Sequence, residues 1–231
     1  MGQIILKGEP DVPVVLRRSR RARRISLRVS GLDGRVTVTL PLRAPQHEAE
    51  SFVREKESWI RANMARAPEP LRPAVGGHIL WQGREIGIRV GGGRFARIEA
   101  GVLLVPPDPV SLPARVAALM KQVARERLTE AADRHAERLG CRFSRISLRD
   151  PRSRWGSCSS EGNLMFSWRL IMAPPEVLEY VAAHEVAHLL EMNHSPAYWR
   201  IVAGICPDYK QHRRWLRENG RFLHRYRFGN G

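Results

Sequence analysis

The sequence has little cysteine and lysine and no long hydrophobic run. Three cysteines, at positions 141, 158 and 206, are too few and too scattered for a disulfide framework or a cysteine-rich zinc site. Reduced thiols of this kind favour a cytoplasmic location. No apolar segment approaches the roughly 20 residues that cross a bilayer, and the N-terminus lacks the basic and apolar regions of a signal peptide. We therefore expect neither a membrane anchor nor export.

Positive charge is in large excess, and arginine carries most of it. Lysine and arginine number 39 against 23 acidic residues, which gives a formal net charge of +16. Six arginines fall within residues 17–24, and others alternate with aromatic side chains in residues 212–228. Such a surface attracts polyanions, so nucleic acid is a candidate partner. The alternative is a solvated arginine face, and no nucleic-acid-binding motif accompanies the charge.

The hydrophobic pattern changes along the chain from a strand period to a helix period, which predicts an α+β fold. Residues 25–40 alternate between apolar and polar on both sides of a Gly-Leu-Asp-Gly turn, which predicts a hairpin. A helix is expected over 45–67 and further strands over 78–107. Residues 111–139 then follow the period of a long amphipathic helix. We place a domain boundary near residue 110, between a β-rich region (1–110) and a second region (111–231).

The second region begins with a strand and continues with a hairpin and two helices. Residues 159–163 have the composition of a turn between two short strands. Pro174 and Pro175 lie where prolines begin a helix, which should extend to about Leu190. Ser195 and Pro196 are typical of the N-cap and first position of the next helix.

Three histidines lie close together around the end of the first of these helices. His184 and His188 are four residues apart, so both imidazoles leave one helix face and can share a metal ion. Glu185 is turned about 100° around the axis and can reach a water molecule on the metal without being a ligand. His194 follows after enough chain to turn back and supply a third imidazole. Three histidines with one open position are typical of catalytic zinc, whereas a structural site is closed by four protein ligands.

These residues carry a resemblance to the YgjP-like metallopeptidases, a family similar in its core to the SprT/Spartan and WLM zincin proteases. The most specific segments are "RWGSC" (154–158) and "HEVAHLLEMNHSPAYW" (184–199), and the N-terminal segments "RSRRARRISLRV" and "WIRANMAR" also fit the family. The resemblance implies a zincin-like core with an edge-strand hairpin and a motif helix. It also implies His184, His188 and His194 as zinc ligands and Glu185 as general base. Glu191 stands where metzincins have glycine, so the metzincin pattern is absent.

Four further residues are weaker candidates for substrate binding. Arg154 and Trp155 lie on the expected edge strand, where Arg154 either holds a substrate carboxylate or phosphate or pairs with a surface acid. Tyr209 and His212 lie downstream, where a side chain could stabilise a tetrahedral oxyanion.

The leading functional hypothesis is a zinc-dependent metallopeptidase that acts on polypeptides with a zinc-bound water and the Glu185 base. One alternative is a metal-dependent hydrolase of nucleotide phosphoanhydrides, which the basic surface favours. Another is a nucleic-acid-binding module with structural zinc, in which Glu185 would be dispensable.

Overall fold

The computed structural model describes residues 2–229, and these residues form the mixed α+β fold predicted from the sequence. Their contacts divide the chain into two compact units, Met1–Pro70 and Leu71–Gly231. This division differs from the boundary near residue 110 that the sequence pattern suggested. The reason is that the strands between residues 78 and 105 share one hydrophobic core with the helices that follow residue 111.

The first unit is a four-stranded sheet packed against two helices. Its strands lie in the order β1-β2-β4-β3, with β2 and β4 parallel and the other pairs antiparallel. The strands are β1 (Gly2–Leu6), β2 (Val12–Ser19), β3 (Ser26–Val29) and β4 (Val36–Pro41), and the helices are α1 (Gln46–Glu55) and α2 (Glu57–Met64). The helix predicted over 45–67 is therefore two helices, which meet at Lys56. Alternate strand residues fill the core of this unit, as a half-buried sheet requires.

The second unit contains two further sheets. One has the order β5-β6-β8-β7 and the other the order β10-β11-β9, so β10 is an edge strand that pairs with β11 alone. The strands are β5 (His78–Trp81), β6 (Arg84–Val90), β7 (Arg97–Glu99), β8 (Val102–Val105), β9 (Arg145–Arg149), β10 (Gly156–Cys158) and β11 (Asn163–Ser167). Strands β10 and β11 are antiparallel and form a hairpin.

Four α-helices and a 3-10 helix complete the second unit. They are α3 (Leu112–Arg138), the 3-10 helix (Trp168–Met172), α4 (Pro175–Ala187), α5 (Pro196–Ile205) and α6 (Tyr209–Leu223). Helix α4 is the central one, because it packs against α3, α5, α6 and β10. Its side chains are therefore mostly buried, including the charged Glu185. Within residues 2–229 no helix combines the length and the hydropathy needed to span a membrane.

A buried arginine ties together the segments on either side of the β10–β11 hairpin. Arg169 is only 6% exposed, and its guanidinium donates two hydrogen bonds to the Asp150 carboxylate, at 2.6 and 3.0 Å. It also donates to the backbone carbonyls of Leu223 (2.8 Å) and Tyr226 (3.1 Å). Arginine suits this position because its planar group can satisfy several acceptors at once. The end of α6 is thereby fixed to the segment that leads into β10.

We expect Arg169→Ala to lower the free energy of unfolding by about 3 kcal/mol, because it leaves a carboxylate and two carbonyls without their donor. Arg169→Lys should recover only part of this loss, because an ammonium group cannot reproduce the paired geometry. Urea unfolding followed by circular dichroism measures both. Arg127→Ala is the control: Arg127 pairs with Glu130 on the exposed face of α3, and its loss should cost less than about 0.5 kcal/mol. Equal effects of the two alanine variants would contradict this assignment.

Candidate metal centre

The structure brings His184, His188 and His194 into one cluster. Ligand nitrogens of the three rings all lie within 4.8 Å of one another. The Nε2 atoms of His184 and His194 are 3.2 Å apart. His184 lies in α4, His188 caps its C-terminus, and His194 precedes α5. The cluster therefore joins the end of one helix to the beginning of the next.

The turn between α4 and α5 is held by local hydrogen bonds. The side chain of Ser195 accepts a hydrogen bond from the Tyr198 backbone N–H at 3.2 Å, which confirms the predicted N-cap of α5. The Asn193 N–H donates to the Glu191 carboxylate at 3.2 Å. The Nδ1 atom of His188 lies 3.1 Å from the Glu191 carbonyl, so Nδ1–H can donate to it and leave Nε2 as the free acceptor. Such outer hydrogen bonds orient metal-ligating imidazoles.

Aromatic side chains of α5 pack against the imidazole rings of the cluster. The Tyr198 ring stacks on His188 with centroids 4.5 Å apart, and its hydroxyl donates to the His184 carbonyl at 2.9 Å. The Trp199 ring stacks on His194 at 5.6 Å. These contacts restrict the rotation of the rings, so the donor atoms are held in place by packing as well as by hydrogen bonds.

The electrostatic environment of His184 and His188 favours their neutral forms. Burial, with the neighbouring charges of His188, His194 and Arg213, lowers the pKa of His184 to about 3. Burial also lowers the pKa of His188. A neutral imidazole has a free lone pair, which is the form that binds a metal ion. The donor set therefore fits a metal that prefers nitrogen ligands, and three imidazoles suit zinc.

Glu185 lies against the edge strand β10. It is 5% exposed, and burial raises its pKa to about 8, although the charge of Arg154 opposes the rise. The closest backbone is that of Gly156, where a β-carbon would lie only 2.6 Å from the Glu185 Cγ atom. A glycine is therefore required for this approach of strand to helix. The contact gives a structural reason for the glycine of "RWGSC".

Arg154 and Trp155 have different roles in the structure. Arg154 is exposed, it lies two residues before β10, and its charge acts on Glu185. The Trp155 ring instead packs on α6: a β-carbon at Gly220 would lie 2.8 Å from it, and the His224 ring is 5.0 Å away. Its contacts are those of a packing residue that places the start of β10.

Tyr209 and His212 connect to the cluster through other aromatic rings. Tyr209 stacks on Trp199 at 5.2 Å, and Trp199 in turn stacks on His194. His212 lies 6.4 Å from the ring of Tyr180, which is 5.9 Å from His184. An oxyanion role for Tyr209 or His212 stays a prediction.

Two residues that the sequence reasoning missed lie next to the cluster. Tyr180 precedes His184 by one helical turn, and this spacing could have indicated it. Arg213 comes from α6, far along the chain, and no sequence signal connects it to the histidines. Cys158 is no nucleophile here, because burial and the Glu185 charge raise its pKa to about 11.

The arginine cluster of residues 17–24 lies in the first unit and is exposed. One member, Arg18, donates to the backbone carbonyls of Leu42 and Ala44, both at 2.7 Å, and therefore has a structural role. Nucleic acid as a partner of this cluster stays a prediction.

An α+β fold with three convergent histidines can hold a metal ion, and comparison with known proteins identifies the family. The sequence model of the family described as "YgjP-like, metallopeptidase domain" matches residues 23–219. The chain therefore belongs to the YgjP-like metallopeptidase family, as the sequence motifs indicated.

One solved structure with detectable similarity is the metallopeptidase zymogen abylysin of Pyrococcus abyssi. It is 20% identical, and the match covers 39% of this chain and 93% of that one, with a TM-score of 0.36. A similarity of that size carries no inference about function. The search among curated proteins found no match.

We expect the metal-free protein to bind one Zn²⁺ per chain. Replacing any of His184, His188 or His194 with glutamine should weaken zinc binding by about 100-fold or more, since even the loss of an outer hydrogen bond to a ligand costs 10- to 100-fold. Competition with a chromogenic chelator measures the affinity. The control is His212→Gln, which removes a nearby histidine of α6 that lies outside the cluster. Loss of zinc binding in the control, or none in the three ligand variants, would contradict this donor set.

Proposed function

We propose that the protein is a zinc-dependent peptidase with a zincin-like core, in which Glu185 is the general base. The observation that carries the proposal is the close grouping of three imidazoles around the C-terminal end of α4, the helix that also carries the buried side chain of Glu185. Zinc held by His184, His188 and His194 would supply a Lewis acid that polarises the scissile carbonyl and acidifies water. Three protein ligands would leave one position on zinc for water or substrate, whereas a structural site would be closed by a fourth protein ligand.

The proposed role of Glu185 is to take a proton from the attacking water and pass it to the leaving amine. A carboxylate surrounded by apolar side chains and strand backbone is a stronger base than one in water, because burial disfavours its charge. Its raised pKa therefore suits proton transfer near neutral pH. The backbone of Gly156 in β10 lies against the Glu185 side chain and limits its movement toward the strand.

The edge strand β10 is the proposed binding site for the polypeptide. It pairs with β11 on one side only, so an extended peptide can add to its other side by β-augmentation. Because Gly156 of this strand touches Glu185, a peptide paired with β10 would pass the general base. Arg154, two residues before the strand, is the residue that we propose binds a carboxylate of that peptide.

The two alternative functions have less support. Hydrolysis of a nucleotide phosphoanhydride usually relies on carboxylate-held magnesium, whereas this donor set consists of imidazoles. A structural zinc site would need a fourth protein ligand, and the grouping found among residues 2–229 has three.

We expect Glu185→Gln to retain zinc and to lower kcat for peptide hydrolysis by at least about 1,000-fold, because an amide cannot accept the proton. Cleavage of a quenched fluorescent casein, together with zinc content, measures both effects. Glu176→Gln is the matched control, since Glu176 is an exposed residue in the first turn of the same helix. Cleavage that survives Glu185→Gln would exclude the general-base role.

We expect Gly156→Ala to reduce hydrolysis by about 100-fold with zinc content unchanged, because the added methyl displaces Glu185 by roughly an ångström. Gly87→Ala is the control: Gly87 also lies in a strand, but its added methyl would meet no atom within 4 Å. Full activity of Gly156→Ala would show that the position of Glu185 is not critical.

A further inference from the structure

Arg213 occupies a fixed position beside the histidine cluster. Its guanidinium carbon lies 4.9 Å from the centre of the Trp199 ring, within the range of a cation–π contact. Trp199 in turn stacks on His194 and lies 6.0 Å from His184. The guanidinium is thus held by the same ring that supports a proposed metal ligand.

The charge of Arg213 has no acidic partner. The side chain is exposed, and within residues 2–229 it makes no hydrogen bond or ion pair. Two arginines of this unit show the contrast, because Arg169 binds Asp150 and Arg134 binds Glu179. The Arg213 guanidinium nevertheless lies close to the site, because the Trp199 ring that it contacts also packs against His184 and His194. A cation in this position is available to a ligand of the centre.

Helix α6 extends this positive face along the proposed peptide path. Arg217 follows Arg213 by one turn, and Gly220 follows after nearly two, so the three share one side of the helix. Gly220 packs on Trp155, which directly precedes β10. Arg217 is also exposed and, among the described residues, without an ion pair. The side of α6 between Trp199 and Trp155 therefore carries two unpaired arginines.

We propose that Arg213, with Arg217 beside it, determines substrate specificity by binding a carboxylate of the polypeptide next to the scissile bond. The inference rests on the proposed peptidase function and adds the class of substrate. Arginine binds a carboxylate through two parallel hydrogen bonds, and the contact with Trp199 keeps the Arg213 guanidinium near the histidine cluster. The carboxylate is either an Asp or Glu side chain or the C-terminus of the peptide, since a guanidinium binds these groups in the same way.

Binding without turnover tests this proposal. The zinc-loaded Glu185→Gln protein is titrated with fluorescein-labelled peptides, and anisotropy gives Kd. One peptide pair differs by Glu against Gln, and the other by a free C-terminus against an amide. We expect one pair to show about tenfold tighter binding of the carboxylate form, a ratio that corresponds to about 1.4 kcal/mol. The pair that shows it identifies the source of the carboxylate.

Arg213→Gln should bring that ratio close to one, whereas Arg214→Gln should leave it unchanged. Arg214 is the matched control because it is the next residue of α6, equally exposed, and turned about 100° away. Arg213→Lys, which retains a charge but not the paired geometry, should keep part of the preference. Zinc content and thermal stability should not change in these variants, which separates specificity from a structural role.

Equal affinity for both members of both pairs would overturn the proposal, and so would an equal loss in the Arg213 and Arg214 variants. These outcomes are distinct from failure of the peptidase function. If the unmodified protein cleaves peptides without preference for a carboxylate, the specificity inference alone fails. If it cleaves no peptide but the preference in binding depends on Arg213, the carboxylate site stands and the proposed reaction fails.

Discussion

The contact between Glu185 and the backbone of β10 is the constraint on which the site depends. A carboxylate in a core helix is costly unless its surroundings compensate for lost hydration. Here helix α4 carries Glu185 into the core, and only glycine at position 156 lets the strand approach closely enough. Neither the helix nor the strand can shift alone without moving the carboxylate. The hairpin and α4 are therefore joined at this contact, and Arg169 joins the flanking segments through its hydrogen bonds.

The histidine cluster depends on a different kind of support. The four-residue spacing places His184 and His188 on one face of α4. Helix geometry alone, however, leaves each imidazole free to rotate about its side-chain bonds. Rotation is limited by Tyr198 and Trp199, which stack on His188 and His194. Tyr198 also binds the backbone of α4 directly. Helix α5 therefore positions the donors through ring packing, and side chains held in this way lose less conformational entropy when they bind a ligand.

The sequence predicted the features that arise from local geometry. A four-residue spacing places His184 and His188 on one side of a helix, and Ser195 caps α5 as its chemistry requires. Features that arise from packing between distant segments were not accessible in this way. The strands of residues 78–105 look like part of a β-rich domain, but their apolar faces meet α3. Arg213 reaches the site only because α6 packs back onto α4.

The net charge of +16 indicates a partner only when the arginines with structural roles are separated from those that are available to a ligand. The guanidinium of Arg169 is hydrogen-bonded to Asp150, and that of Arg18 donates to backbone carbonyls, so neither is available to a ligand. An exposed arginine cluster raises the rate of encounter with any polyanion, and salt screens this effect over about 10 Å. Arg213 differs because its guanidinium contacts the Trp199 ring, which also stacks on His194. Binding of an anion to an oriented guanidinium depends more on the shape of the anion than on the salt concentration. Such a group can therefore select among ligands, whereas a diffuse positive surface attracts any polyanion.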